Sequence, residues 1–503
     1  MAGLPIEITL EDERATQRLG QDLALALKPG DCLALQGDLG AGKSTLARAL
    51  IRTVAADPAL DVPSPTFTIV QSYDLCIRIA HYDLYRITGP DELVELGLDE
   101  ALDDGAVLIE WPENAAEALP SDAVHIAISE QGGDARQIRI SGPDPALQRI
   151  GRSLDIRAFL VSCGHGDDDR QFLIGDASTR TYETVSTGDG TRTILMDAPK
   201  RLLGPVLRDG KRYAQIAHSA EDVRPFVAVG SFLRSNGFRA PEILAQDIEA
   251  GFLLLEDLGR KGILDAEGRP IEARWDAAID CLVALHRTAI PPRIALEEGL
   301  AHNIPPFDRG AMLIEVELYL EWYLPHTLGK EPSTDFRERF HAGWNRLIDW
   351  LADAPTSLVL RDFHSPNILW QEDCRGIERV GLIDFQDAMI GPAAYDVASL
   401  VQDARVTVEP ALHDHLVARY ERARCEDPDF DPVLFREALA VMQCQRATKI
   451  LGLFVRLKKR DGKAGYLRHL PRIETYLRQT LAHPVLHFIH DCYTEAGIAP
   501  RES

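Results

Sequence analysis

Gly37-Asp38-Leu39-Gly40-Ala41-Gly42-Lys43-Ser44-Thr45 follows a short apolar strand, Asp31 to Gln36, and opens a helical stretch from about Gly42 to Ala55. Every defined position of G-x-x-x-x-G-K-[ST] is matched. A strand before and a helix after is the context that separates a phosphate-binding P-loop from a chance glycine turn. The chemistry needs this arrangement. Glycines let backbone N–H groups turn inward around phosphates, and the helix N-terminus adds positive potential. Lys43 brings a cation to the β- and γ-phosphates, and the Ser44 hydroxyl suits Mg²⁺. Gly37, Gly40, Gly42, Lys43, Ser44 and Thr45 are therefore the candidate contacts to a nucleoside triphosphate.

Outward from this loop the first segment reads as mixed α/β. A second apolar run, Ala106 to Ile109, ends in Glu110-Trp-Pro. HIAIS and QIRIS alternate with period two around Glu130-Gln-Gly-Gly-Asp134, which predicts a hairpin. Ser141-Gly-Pro-Asp-Pro145 is turn chemistry and is taken as the domain boundary. Beyond it strands recur up to Gly251-Phe-Leu-Leu-Leu-Glu-Asp-Leu-Gly259, and helical periodicity then dominates. Only Val380-Gly-Leu-Ile-Asp384 reads as a later strand. Strands first and helices second is the order of a kinase, a small sheet lobe and then a larger helical lobe.

The chain has 503 residues, enough for two to four domains, and an ordinary apolar content. No apolar run reaches the ~18–20 residues of a membrane span. The start, MAGLPIEITLEDE, has neither a basic nor an apolar leader region. The eight cysteines are scattered with no CxxC pair, which fits a reducing cytoplasm better than a disulfide frame or a zinc site. Residues 1–150 hold 25 acidic and 11 basic side chains, a net of −14, against −10 for the remaining 353 residues. Such an acidic segment does not attract a phosphate backbone, so any link to nucleic acid runs through a partner.

A second site is legible further on. Leu360-Arg361-Asp362-Phe-His-Ser-Pro-Asn367 matches the D-x-x-x-x-N core of a kinase catalytic loop, and Asp384-Phe385-Gln386 stands where D-F-G is expected. In that pattern Asp362 accepts the proton of the attacking hydroxyl, while Asn367 and Asp384 hold Mg²⁺ on the phosphates of ATP. Leu254-Leu-Glu256-Asp257 reads as the strand into an adenine hinge, with Glu256 the candidate contact. Ala284-Leu-His286 reads as a helix facing the catalytic loop. His286 and His364 read as structural. Two departures stand out. The strand expected to carry a V-A-I-K lysine reads Thr193-Ile-Leu-Met-Asp-Ala-Pro199, and Lys200 follows too late. The phosphate loop is Gly175-Asp-Ala-Ser178-Thr-Arg180, in which Ser178 and Arg180 are the candidate contacts and Arg180 the candidate replacement cation.

Two resemblances collect these motifs. GDLGAGKST, with Ser64-Pro-Thr-Phe-Thr68, His81-Tyr-Asp-Leu-Tyr-Arg86 and Leu108-Ile-Glu-Trp-Pro-Glu113, resembles the TsaE ATPases of bacterial tRNA threonylcarbamoyladenosine formation over residues 1–145. The resemblance implies that Thr66 lies near the γ-phosphate, that Asp83 is a functional aspartate near the nucleotide and partner surface, and that Glu110 is the Mg²⁺-side carboxylate. A solvated loop charge is the plainer reading of Asp83, and packing or partner contact that of Trp111. It also implies TsaB/TsaD-like partners, with tRNA held only by them. GDAS-x-R, ILMDAP, GFLLLEDLG, ELYLEWYLP, LRDFHSPNILW, LIDFQDA and K-I-L-G-L-F-x-R-L-x-x-RDGK together resemble the AmgK kinases, which phosphorylate the anomeric hydroxyl of N-acetylmuramate and N-acetylglucosamine in peptidoglycan recycling. They belong to the aminoglycoside phosphotransferase superfamily. By that resemblance Asp362, Asn367 and Asp384 carry catalysis and metal, and Asp396 is a structural aspartate. The missing lysine is family-like. The expected fold is an α/β P-loop NTPase domain at 1–145, then a protein-kinase-like α+β two-lobed domain at 150–503. Left open are another small hydroxyl acceptor, such as an amino alcohol or aminoglycoside, a pseudokinase scaffold, and a P-loop switch with a different client.

Overall fold

The computed structural model describes residues 4–87, 89–173, 180–200 and 204–498. Packing divides the chain into two compact units, Met1–Ala198 with Ala245–Leu255, and Pro199–Leu244 with Glu256–Ser503. Among the described residues no helix is long and apolar enough to cross a membrane.

The first unit is built on a seven-stranded sheet with the order β1-β7-β6-β2-β5-β4-β3. Its strands are β1 (Ile6–Leu10), β2 (Cys32–Gln36), β3 (Val70–Tyr73), β4 (Ile79–Asp83), β5 (Ala106–Glu110), β6 (Val124–Glu130) and β7 (Arg136–Ser141). The predicted hairpin is β6 and β7, paired antiparallel. β4, β5, β2 and β6 run parallel, and β4 and β5 are buried at every residue. A strand covered on both faces has no polar face to alternate with, which is why these read as apolar runs. Leu33, Leu35 and Leu108 pack under helices α1 (Glu13–Ala26) and α2 (Lys43–Ala55). Cys32, Val107 and Ile109 pack on the other face, beneath α3 (Pro90–Glu95) and α4 (Leu98–Asp104). Asp12 starts α1 by accepting from the Ala15 N–H at 2.7 Å, an ordinary N-cap.

The turn read at Ser141–Pro145 is shorter than its composition suggests. Ser141 closes β7, and Asp144 already begins helix α5 (Asp144–Ser162), because proline is tolerated in a first helical turn. This helix serves two cores. Ala146, Leu147 and Ile150 join the core under α1, whereas Ile156, Phe159 and Leu160 pack on Val185, Leu195, Phe252 and Leu254. Those last four residues belong to a five-stranded sheet, order β13-β14-β10-β9-β8. It comprises β8 (Asp169–Leu173), β9 (Thr181–Ser186) and β10 (Arg192–Asp197). After the separate hairpin of β11 (Val206–Arg208) and β12 (Lys211–Arg212), it is completed by β13 (Ile243–Asp247) and β14 (Phe252–Glu256). A buried ion network fastens this sheet to α1. Asp22 accepts from Arg157 at 3.1 Å and from Arg170 at 2.6 Å, and Arg170 also holds Glu183 at 2.8 Å. Each charge has its counter-charge, the condition under which buried ions are tolerated.

The second unit is mainly helical: α6 (Tyr213–Ile216), α7 (Arg224–Ser235), α8 (Glu272–Arg287), α9 (Arg309–Leu318), α10 (Leu324–Leu328), α11 (Thr334–Trp350), α12 (Ala394–Val401), α13 (Pro410–Arg424), α14 (Pro432–Asp461), α15 (Leu470–Thr480) and α16 (His487–Glu495). α14 is its axis. A side chain at Gly452 would meet the Leu318 backbone at 2.2 Å, so glycine there is what lets α14 close on α9. The expectation of a single late strand is corrected. Among the described residues after β14 six short strands occur, β15 (Arg293–Ala295), β16 (Ala301–Asn303), β17 (Thr356–Val359), β18 (Ile368–Trp370), β19 (Val380–Leu382) and β20 (Met389–Pro392). Ladders of three or four residues are too short to carry a readable period. β19 ends two residues before Asp384, which takes φ +59° and cannot extend the ladder.

Candidate functional sites

In the first unit the parallel strands deliver the site. The P-loop follows central strand β2, Glu110 ends β5 and Asp83 ends β4, and the register places Asp83 beside Glu110 and Glu110 beside Leu35. The carboxyl ends of parallel strands are where α/β sheets bind ligands. Gly37, Gly40 and Gly42 have φ of +146°, +83° and +113°, and a Cβ at Gly37 would lie 2.5 Å from the Ile128 carbonyl oxygen. Lys43 is buried and donates to the Gly37 and Asp38 carbonyls at 2.6 and 2.9 Å. Burial lowers its pKa, against the raising charges of Glu110, Glu113, Asp83 and Asp38. The Ser44 hydroxyl donates to Glu110 Oε2 at 2.8 Å, and Thr45 follows, half-buried, in the first turn of α2.

Asp83 is not a solvated loop charge. It is buried and accepts from Ser64 and Thr66 hydroxyls at 2.9 Å each and from the Tyr85 N–H at 3.0 Å. It therefore holds the Ser64–Thr68 loop in place beside the P-loop. Two residues play parts that the sequence did not reveal. His81, 1% exposed, meets Glu110 Oε1 at 2.9 Å, and among the described residues its Nδ1 has no hydrogen-bond partner. Trp111 lies under Lys43, with Nζ 3.6 Å from its ring centroid. The β4/β5 register is the signal for His81, since it sits two residues before Asp83 on the same strand face.

In the second unit Asp396 organises the catalytic loop, accepting from the Leu360 and Arg361 N–H groups at 2.6 and 3.0 Å. Arg361, at φ +71°, donates to the Ala217 carbonyl at 3.0 Å and pairs with buried Glu315. Asp362 follows, its side chain 37% exposed. Burial would raise its carboxyl, but His364, Lys449, Arg361 and Arg446 hold it below the ordinary range. Asn367 donates to the Asp362 carbonyl at 3.0 Å and to Asp384 Oδ2 at 3.3 Å, and Gln386 donates to Asp384 Oδ1 at 2.7 Å. The structure thus brings Asp362, Asn367 and Asp384 together. Among the described residues no cluster of three His, Cys, Asp or Glu forms a metal cage. The Ser44–Glu110 and Asn367–Asp384 pairs instead offer the sparse oxygen ligation that Mg²⁺ accepts when phosphates complete its shell.

The remaining candidates are placed as follows. The Glu256 carboxylate is held by Arg239 (Nη1 to Oε2, 2.9 Å), so it is committed to the fold. Ser178 lies outside the described residues, and Arg180 is half-buried. Lys200 is exposed, and Asp197 on β10 is bound by Arg152 at 2.5 Å. His286 contacts the Tyr420 hydroxyl at 2.7 Å; burial and Arg424 push it down to about 3. Burial and Arg405 push His364 to about 4, and the Arg405 guanidinium, 3.3 Å away, makes its Nε2 an acceptor. Both rings are neutral and structural near neutrality. Depressed histidines leave the unfolded chain binding the extra protons below ~6.5, so stability is complete above that pH and lost as pH falls toward 3. Urea titrations should show the midpoint falling from pH 7 to pH 4, and His286→Gln should flatten that fall by about one proton.

The residues of the first site match a family model described as "Threonylcarbamoyl adenosine biosynthesis protein TsaE" over residues 10–138, and those of the second match "Phosphotransferase enzyme family" over residues 169–434. Among individual proteins, an N-acetylmuramate/N-acetylglucosamine kinase of Caulobacter vibrioides is 34% identical over 351 residues, 65% of this chain and 92% of the relative. A kinase of the same description from Pseudomonas aeruginosa is 34% identical over 353 residues, 67% and 93%. A tRNA threonylcarbamoyladenosine biosynthesis protein TsaE of Rickettsia conorii is 38% identical over 129 residues, 25% and 73%.

Proposed function

The chain belongs to the phosphotransferase enzyme family and, through its N-terminal part, to the TsaE family, and from that premise we propose that it is a bifunctional cytoplasmic protein. Residues 1–145 act as the ATPase of tRNA threonylcarbamoyladenosine formation. Residues 150–503 transfer the γ-phosphoryl group of ATP to the anomeric hydroxyl of N-acetylmuramate or N-acetylglucosamine in cell-wall recycling. The observation that supports the kinase reading is that Asn367 bonds both the Asp362 main-chain carbonyl and the Asp384 carboxylate, which holds the three residues in one place.

The transfer follows from that geometry. The carboxylate of Asp362, kept ionised by its cationic neighbours, takes the proton of the anomeric hydroxyl. The sugar oxygen forms a bond to the γ-phosphorus, the bond from that phosphorus to the bridging oxygen breaks, and ADP leaves with the electron pair. Asn367 and Asp384 would hold Mg²⁺ here, as Ser44 and Glu110 would in the ATPase, and the ion supplies charge neutralisation on the phosphates. Gln386 and Asn367 fix the Asp384 carboxylate. An anomeric hydroxyl is the most acidic on a reducing sugar, which suits a base of depressed pKa.

For the ATPase part, Leu39, Phe67 and Tyr85 are exposed at 79%, 82% and 52% on the P-loop, the Ser64–Thr68 loop and the segment after Asp83. Such apolar exposure around a nucleotide loop suits a protein partner, here TsaB/TsaD-like proteins. With a net of −14 over residues 1–150, the partners rather than this segment hold the tRNA. The test has two arms. ADP release with a panel of acceptors should depend on the amino sugars and not on amino alcohols or aminoglycosides; the reverse dependence would overturn the kinase reading. The full chain should not retain tRNA at ~0.15 M salt without the partner proteins; tight binding by the chain alone would overturn the division of labour.

A further inference from the structure

The charges around Asp362 continue along one face of α14. Gln445, Lys449 and Arg456 stand four and seven residues apart, so all three point to the same side. The first two are spoken for. Gln445 donates to Glu315 Oε2 at 2.9 Å, and Lys449 Nζ lies 2.8 Å from Glu315 Oε1, on the carboxylate that also pairs with Arg361. Arg456 is different. Among the described residues no carboxylate lies within ion-pair distance of it, and its Nε is buried without a hydrogen-bond partner. Its guanidinium lies 4.8 Å over the ring of Tyr213, the first residue of α6. That ring is close to the catalytic loop: Glu315, Arg456, Lys449 and Arg361 all act on the Tyr213 phenol, and Arg361 donates to Ala217 just after α6. The acidic groups that act on Arg456 are Asp461, which is paired with Arg460 at 2.8 Å, and Glu321. Glu317 is taken by Arg208 through two contacts of 2.9 Å, and the Glu321 carboxyl is raised by burial and Glu317 against the lowering charges of Arg337, Arg208 and Arg456.

A face therefore runs from the base Asp362, past Lys449 and Tyr213, to a guanidinium that feels Asp461 and Glu321 but, among the described residues, has no carboxylate at ion-pair distance. Lys449 and Arg456 are separated by two helical turns, roughly 10 Å of rise, the scale of one sugar residue. A buried donor without a partner is costly, and an arginine is the side chain best shaped to receive a carboxylate. We propose that Arg456 is the specificity residue for acidic acceptors: its guanidinium takes the lactyl carboxylate of N-acetylmuramate, a group that N-acetylglucosamine lacks, above the Tyr213 ring that carries the sugar. This rests on the amino-sugar kinase reading.

The experiment compares kcat/KM for N-acetylmuramate, its methyl ester and N-acetylglucosamine in the wild-type chain, Arg456→Gln and Arg456→Lys. A charge-assisted hydrogen bond sets the expected size. The ratio of N-acetylmuramate to N-acetylglucosamine should fall by about 10–100-fold in Arg456→Gln, chiefly through KM, and recover in part in Arg456→Lys. The wild-type chain should lose a similar factor on the neutral methyl ester, a measurement that needs no variant to fold. Equal losses on both sugars, or full wild-type activity on the ester, would overturn the assignment of Arg456. Turnover of neither sugar by the wild-type chain would overturn the kinase reading itself, and the inference with it.

Discussion

Asp362→Asn should lower turnover of sugar phosphorylation by about 10²–10⁴-fold, the range general-base removal produces. The substitution keeps the shape of the side chain and the loop. Asp396 still binds the Leu360 and Arg361 N–H groups, and Asn367 still donates to the main-chain carbonyl at position 362. What it removes is the proton acceptor, so KM for sugar should move little. The pH profile gives a second readout. Lys449, Arg361 and Arg446 hold the Asp362 carboxyl low, so the wild-type chain should keep its base ionised to well below neutrality. Nucleotide hydrolysis by the P-loop part should be unaffected, because its machinery lies between Gly37 and Glu110. Loss of both activities in a folded Asp362→Asn chain would contradict separate sites.

Lys43→Ala should have the mirror effect. The lysine is the P-loop cation, held by the Gly37 and Asp38 carbonyls and against the Trp111 ring. Removing a positioned donor to developing phosphate charge costs about 10²–10³-fold in turnover, so ATPase activity in the presence of the partner proteins should fall by that factor. Sugar phosphorylation should stay within about two-fold of wild type, since no step of it uses Lys43; a matching loss there would show that the two activities share one nucleotide site. Steady-state ADP release with and without sugar, measured on the same preparations, reads both effects.

Contiguous motifs were legible because their residues act through local backbone. The P-loop is nine consecutive residues whose glycines do conformational work, and Asp362 and Asn367 share one turn. Groups that depend on strand register or helix crossing were not. His81 reaches Glu110 only because β4 and β5 pair in parallel with Asp83 beside Glu110, and no spacing rule within HYDLYR encodes that. Asp83 stands as a functional aspartate on resemblance alone, with a solvated charge as the plainer reading, because its partners Ser64 and Thr66 precede β3 in the chain and no local spacing ties them to it. Lys449, which lowers the Asp362 carboxyl, meets Glu315 through the close approach of α9 and α14 at Gly452. Short ladders such as β18 with β19 escaped a periodicity reading because three residues contain barely one period.

The kinase assignment is tested most directly by the position of the phosphate. The wild-type chain is incubated with ATP and N-acetylmuramate or N-acetylglucosamine, and the product is examined for reducing ends and for phosphorus–proton coupling. The expected result is loss of the reducing end together with coupling of phosphorus to the anomeric proton. A product that remains reducing, with its phosphate on the primary hydroxyl, would contradict an anomeric kinase and move this chain to ordinary hexosamine phosphorylation.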